Sequence, residues 1–181
     1  MAIWKDLFKP RILVRGREYF ECGQVVELKE VGTVVTATEF VSRLKAITPP
    51  ESWAAVFEKL LADAKHPADR MQLYHFNGIY NELFAELSRY PYLGTFQSYE
   101  EDLRAWDSER TLKLYAEILK REMDRACDRK QYRHVAAHLD RLKVYPKGQE
   151  EANTLVAYWY VYHKNRPAMK DELKKAGYLQ E

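Results

Sequence analysis

A chain of 181 residues in which 46% are hydrophobic and 13% aromatic can bury a real core, and it lacks the aromatic poverty and large net charge of disordered chains. Its 29 Lys+Arg against 27 Asp+Glu leave a net charge of +2, too small for whole-molecule attraction to nucleic acid or an anionic membrane, so any electrostatic partner must meet a local patch. Two cysteines, Cys22 and Cys127, cannot build a disulfide framework or a cysteine-rich zinc site. With no secretory signal and no apolar run near ~20 residues, a cytoplasmic chain that does not span a membrane is expected.

In chain order, Ile12, Leu13, Tyr19 and Phe20 lie beside Arg11, Arg15, Arg17 and Glu18, a pattern for a short helix loosened at Gly16 and ended by Gly23. Val25, Val26 and Leu28, then the β-branched run from Val31 to Phe40, predict a β-hairpin turning at Gly32. Its apolar face should be covered by the helix through Ile12, Leu13 and Phe20, because an isolated hairpin is marginal in water. The stretch 39–47 reads as a third strand or a connection, and Pro49-Pro50 ends it. A module boundary is placed there, giving a helix-plus-hairpin module at 1–48 and a helical body at 51–181.

Past the prolines, Trp53, Val56, Phe57, Leu60 and Leu61 recur at helical spacing up to His66-Pro67, with Glu51-Ser52 placed to cap. A second helical stretch over 68–90 breaks near Asn77-Gly78 and closes at Pro91 and Gly94. After a short element holding Leu103 and Trp106, Asp107-Ser108 caps the clearest helix, 109–127, whose Leu112, Tyr115, Ile118, Leu119 and Met123 share a face. Helices follow over 131–142 and 150–163. The second is apolar on more than one narrow stripe, so two of its sides should be covered and it should sit centrally. Arg166-Pro167 starts a last short helix docked by Met169 and Leu173 and stopped at Gly177. The fold class is mainly α (α+β), the helical body being a stack of helical hairpins without a regular repeat of ~34 residues.

Two segments carry a resemblance. Lys9-Pro10-Arg11-Ile12-Leu13-Val14-Arg15-Gly16-Arg17-Glu18-Tyr19-Phe20 followed by Gly23-Gln24-Val25-Val26 resembles the opening of bacterial SWIM-type zinc-finger proteins, an Arg-Gly-x-x-Tyr-(Tyr/Phe)-x-x-Gly-x-Val pattern leading into a hairpin. Arg129-Lys130-Gln131-Tyr132 and Arg166-Pro167-Ala168-Met169-Lys170-Asp171-Glu172-Leu173 are similar to the helical tail of the same proteins. The zinc finger itself needs Cys-x-Cys and Cys-x-His, because a closed structural site takes four sulfur or imidazole ligands. The segment 40–49, where it should lie, has no Cys or His. The resemblance therefore implies a zinc-free relative or deletion derivative, and the contacts made by the finger do not carry over.

Several residues invite sharper readings. His134 and His138, four apart on one helix, have the spacing of two zinc ligands, but the glutamate that would follow the first histidine in a metalloprotease is Val135. Cys127 reads as a small buried hydrophobe and Cys22 as the more exposed thiol. No phosphate-cradling loop or nucleophile elbow is present, and with 7 glycines a nucleotide cofactor is disfavoured. Arg129, Lys130, Arg133, Arg141 and Lys143 form a basic row, with Arg11, Arg15 and Arg17 a second group, and both are candidates to neutralise phosphates. Tyr158, Trp159 and Tyr162 are the candidate protein interface, being residue types that anchor contacts.

The expectation is a non-enzymatic binding or adaptor protein with no catalytic residue, metal or cofactor, working through a protein partner and secondarily through nucleic acid. The alternatives are a mobile-element inhibitor that imitates a host protein, and a metal-dependent hydrolase centred on His134 and His138.

Overall fold

The computed structural model describes residues 37–179, and over these the chain is mainly α, with ten helices and no strand among the described residues. The expected hairpin up to residue 36, the N-terminal helix with Arg11, Arg15 and Arg17, and Cys22 lie outside the described residues. The chain divides into two compact units, Met1–Leu83 and Phe84–Glu181. None of the helices of the described residues is long and apolar enough to cross a membrane.

In the first unit, α1 (Ala37–Ile47), α2 (Pro50–Asp63) and α3 (Pro67–Phe76) enclose a core of Leu44, Val56, Leu60, Ala64 and Leu73, flanked by Phe40, Val41, Trp53, Phe57 and Leu61. Two expectations are corrected here. Residues 37–40, given to the second hairpin strand, and 39–47, given to a strand or connection, are helical. The reason is spacing: Phe40, Val41 and Leu44 stand at i, i+1 and i+4, so a helix brings all three to one core, whereas a strand would put Phe40 and Val41 on opposite faces. The break at Pro49-Pro50 joins two helices of one unit, and the division between units falls at 83/84. Pro49 takes the N-cap position and Pro50 the first turn, where a missing amide costs little, so the prolines start α2 and Ser52 lies inside it. Asn77 fastens the end of α3: its Oδ1 accepts from Trp53 Nε1 at 3.0 Å and Lys45 Nζ at 3.2 Å, while its Nδ2 donates to the Leu73 carbonyl at 3.0 Å. Gly78, at φ +67, makes the turn that separates α3 from α4 (Tyr80–Arg89).

The second unit begins within α4 and continues through α5 (Leu93–Gln97), α6 (Glu100–Trp106), α7 (Ser108–Arg125), α8 (Arg129–Leu142), α9 (Gly148–Tyr162) and α10 (Pro167–Lys175). The expected cap is in place at α7, and α8 has one that was not expected. Asp107 Oδ1 accepts from the Arg110 amide at 2.9 Å, and Asp128 Oδ1 from the Gln131 amide at 2.8 Å. α5 is an addition, a single turn that buries Leu93 and Phe96 where the chain was expected only to close a helix. α7 packs on α5, α6, α8 and α9, and α8 also packs on α9 and α10. The expectation that α9 sits centrally is corrected accordingly. Its Ala152, Leu155, Val156 and Trp159 are buried as one stripe, but the centre belongs to α7, whose Tyr115, Ile118, Leu119 and Met123 are wholly inaccessible. Because α10 packs on α8 while α9 packs on α7 and α8, a groove is left between α9 and α10.

Candidate functional site

The basic row emerges from α8 with its carboxylates already supplied. Arg129 bonds to Asp171 and, at 3.0 Å, to Glu172 Oε1; Arg133 Nε donates to Glu172 Oε2 at 2.9 Å; Lys175 Nζ reaches Glu172 at 3.2 Å and Asp171 at 3.1 Å. The Glu172 side chain is only 2% exposed, and the Arg133 guanidinium, with Lys175 and Arg129, lowers its pKa to about 2 against the cost of burial. Further along, Arg141 Nη2 donates to the buried Glu100 at 2.8 Å and Lys143 Nζ to Asp140 at 2.6 Å. The row expected to meet phosphates thus meets the carboxylates of α6, α8 and α10. Lys130 is exposed and has no partner among the described residues.

The tail residues that carry the resemblance are fasteners. Arg166 donates from Nη1 to the carbonyls of Met123 at 3.0 Å and Ala126 at 3.1 Å, and from Nη2 to that of Asp124 at 3.1 Å, closing the C-terminus of α7. Pro167 then starts α10, Glu172 clamps α8, and Met169 and Leu173 are fully buried.

The two histidines part company. His134 is exposed and its ring lies 4.9 Å from that of His138, which is buried with Nδ1 2.6 Å from the Tyr115 hydroxyl. Burial, then the neighbouring His134 and Arg141, lower the His138 pKa to about 4, and burial foremost raises that of Tyr115. At neutral pH the tyrosine hydroxyl therefore donates and Nδ1 accepts, which leaves the imidazole proton on Nε2. Beside this pair Tyr145 donates to Glu100 Oε1 at 3.1 Å, and Phe96 stacks on Tyr115 at 4.8 Å. His138 thus joins α8 to α7 through Tyr115, beside the separate Tyr145–Glu100 and Arg141–Glu100 bonds that fasten α6. Among the described residues no three His, Cys, Asp or Glu side chains gather where they could hold a metal ion. Cys127, read from the sequence as buried, is exposed between α7 and α8, its amide bonded to Gln131 Oε1 at 2.7 Å.

The aromatic end of α9 sorts by angle. Trp159, expected at an interface, is 0% exposed and belongs to the core, because it continues the Ala152, Leu155, Val156 stripe at i+7. Tyr158 is half-buried, with Lys120 of α7 at 3.9 Å over its ring and Tyr162 stacked on it at 4.4 Å. Tyr162 is 70% exposed, Val161 65% and Tyr160 49%. Asn153, Ala157, Tyr160 and Val161 stand at i, i+4, i+7 and i+8, a second stripe that opens onto the groove of about 590 Å³ toward Lys174, Tyr178 and Leu179. Lys170 of α10 lies 4.2 Å over the Tyr160 ring.

Of the three residues expected at the interface, Tyr162 is on the surface, Tyr158 on its margin and Trp159 beneath it. Val161, Lys170 and Lys174, which stand at or beside the groove with Tyr160, were not singled out from the sequence, although the second apolar stripe of α9 was legible in the spacing of Ala157, Tyr160 and Val161. Comparison with known proteins adds no relative: no family model, no curated protein and no solved structure matches this chain.

Proposed function

We propose that this chain is a non-enzymatic binding protein, an adaptor whose second unit holds a protein partner on the outer stripe of α9. The observation that carries the reading is the exposure of Tyr160, Val161 and Tyr162 together at the end of a helix whose inner stripe already fills a core. Scattered apolar residues on a surface need no account, but Tyr160 and Val161 stand side by side on the edge of an open groove, a place of the kind partners cover, while Tyr162 is exposed on another side of the same helix end. Tyrosine suits such a place, since its ring supplies contact area and its hydroxyl tolerates water until the partner arrives.

Nucleic acid takes second place within this proposal. Arg129, Arg133 and Arg141 are already bonded to carboxylates of the same chain, and a phosphate would have to displace Glu172 or Glu100 to reach them. The kinship with SWIM-type proteins, without zinc, is retained on the motifs, because Arg166, Glu172 and Leu173 each have a structural task that such a pattern would preserve.

The test is quantitative capture from the native host with the intact chain and with Tyr160→Asp and Val161→Asp variants. The specific partner should be lost about 10-fold or more from both variants, the equivalent of about 1.4 kcal/mol, while labelled single- and double-stranded DNA and RNA stay unbound at moderate salt. Equal capture by parent and variants, or nucleic-acid binding that falls steeply with salt and with loss of Arg129 and Arg133, would overturn the reading.

A further inference from the structure

We infer that the groove between α9 and α10 takes an acidic amphipathic helix of the partner protein, an inference that rests on the protein-contact reading above. The floor and one wall are apolar, from Val156, Ala157, Val161 and Tyr160, and the opposite side carries Lys174 and Tyr178. A volume of about 590 Å³ accommodates a few side chains from a partner, and helix-in-groove docking places such anchors at i, i+3 or i+4, and i+7. Docking as an added strand would need a sheet edge, and the described residues have none.

The charge around the groove selects the occupant. α10 turns Asp171 and Glu172 toward α8, where Arg129, Arg133 and Lys175 take them up. Lys170 and Lys174, one turn apart, are left without an ion pair among the described residues, and Lys164 just beyond α9 is exposed and likewise unpaired. Lys113, Lys143 and Lys175 elsewhere in this unit each have a carboxylate, and Lys120, Lys130 and Lys147, which have no ion pair among the described residues, do not line the groove. Among the described residues the acidic one on the outer stripe of α9, Glu150, stands two turns before Ala157, so of their side chains those at the end of the groove beside Tyr160 and Val161 are positive. Carboxylates on the polar flanks of an incoming helix complete these lysines while its apolar face covers the floor. A second copy of the chain would bring the same lysines against one another across a two-fold axis. A phosphate polymer or an anionic lipid headgroup would satisfy the lysines and leave Val161 and Ala157 wet.

The experiment is a selection of helical peptides from a random displayed library on the intact protein, followed by titration of the synthetic winners. The expected winners carry two or more Asp or Glu beside Leu, Ile, Phe or Trp at helical spacing. Their affinity should fall about 10-fold or more with Val161→Asp or Ala157→Glu, and about 10-fold with Lys170→Glu combined with Lys174→Glu. Each variant is first required to unfold thermally like the parent, and the two stripe variants stand in for one another. Winners that depend on Val161 but are neutral or basic and ignore the lysine reversals would overturn the acidic occupant and leave the interface standing. Winners indifferent to both stripe variants, or no winners, would overturn both readings. Binding of a 20-base-pair DNA or of phosphatidylserine vesicles that the lysine reversals abolish and Val161→Asp does not would make this a phosphate site and overturn the proposal.

Discussion

Trp159 and Tyr162, three residues apart on α9, differ by about 60° around the helix axis, and the neighbours met at each angle decide their work. Trp159 lies in the core although its Nε1 finds no acceptor among the described residues, so its packed rings rather than a hydrogen bond hold it there. Trp159→Ala should therefore cost about 3–5 kcal/mol in denaturant unfolding, the range for emptying a large buried aromatic site. Tyr162→Ala should cost about 1 kcal/mol at most, the worth of its stack on Tyr158. Equal losses for the two would mean that Tyr162 is not a surface residue. His138 makes the same point in polar terms, since its partner Tyr115 stands 23 positions away and the Nδ1 bond exists only once α7 and α8 have packed.

At the scale of helices, the corner between α8 and α9 depends on one missing side chain. A Cβ on Gly148 would sit 1.7 Å from the Leu142 carbonyl oxygen, a backbone atom that cannot swing aside, whereas a Cβ on Gly94 in α5 meets nothing within 4 Å. Gly148→Ala should destabilise by about 1–3 kcal/mol or more through forced displacement of the end of α8. Gly94→Ala should be neutral or stabilise by about 0.4–1 kcal/mol, since it only removes freedom from the unfolded chain. Thermal unfolding of the pair separates a close approach from a general preference against mutation.

The α8 and α10 contact has its own signature in pH. Glu172 has its pKa lowered from the ordinary 4.5 to about 2, so the unfolded state binds its proton first as pH falls. The stabilisation is present above pH 4.5 and is lost progressively toward pH 2. Glu172→Gln should lower the Tm at neutral pH and flatten the fall of Tm across that window relative to the parent. A parallel fall in both proteins would show that other carboxylates carry the acid sensitivity.

For the whole molecule, the two units have separate consequences. The second contains its own core around Tyr115, Leu119, Leu139 and Trp159, together with its own ion-pair clamp. A fragment of residues 80–181, which keeps α4 whole, should unfold in one cooperative thermal transition followed by circular dichroism. A fragment with helical signal but no sigmoidal transition would mean that the second unit does not hold itself together. The net charge of +2 is the residue of opposed charges, and four members of the basic row, Arg129, Arg133, Arg141 and Lys143, meet carboxylates of the same chain, which is why that row in the sequence does not amount to a basic surface.

The amino-acid sequence by itself determined most of the helices from 50 onward. Their signals are local: 3.6-residue spacing of apolar residues, Asp107 as a cap, Pro167 as a first-turn residue, and Gly78 and Gly177 at positive φ. It was misleading at 37–47, where β-branched residues favour a strand locally, but the core formed with Val56 and Leu60 rewards a helix; that contact lies outside any local window. The tertiary structure alone decided the fate of the charged and aromatic residues. Arg129 and Arg133 meet carboxylates some 40 positions away, at separations of 42 and 39 residues, and no pattern along α8 announces them. Trp159 went inward and Val161 outward because α7 and α8 cover one side of α9, while α10 follows α8 and leaves the other side open. Secondary structure is written in spacing along the chain, but whether a given side chain is spent inside the molecule or left for a partner depends on which helices arrive beside it.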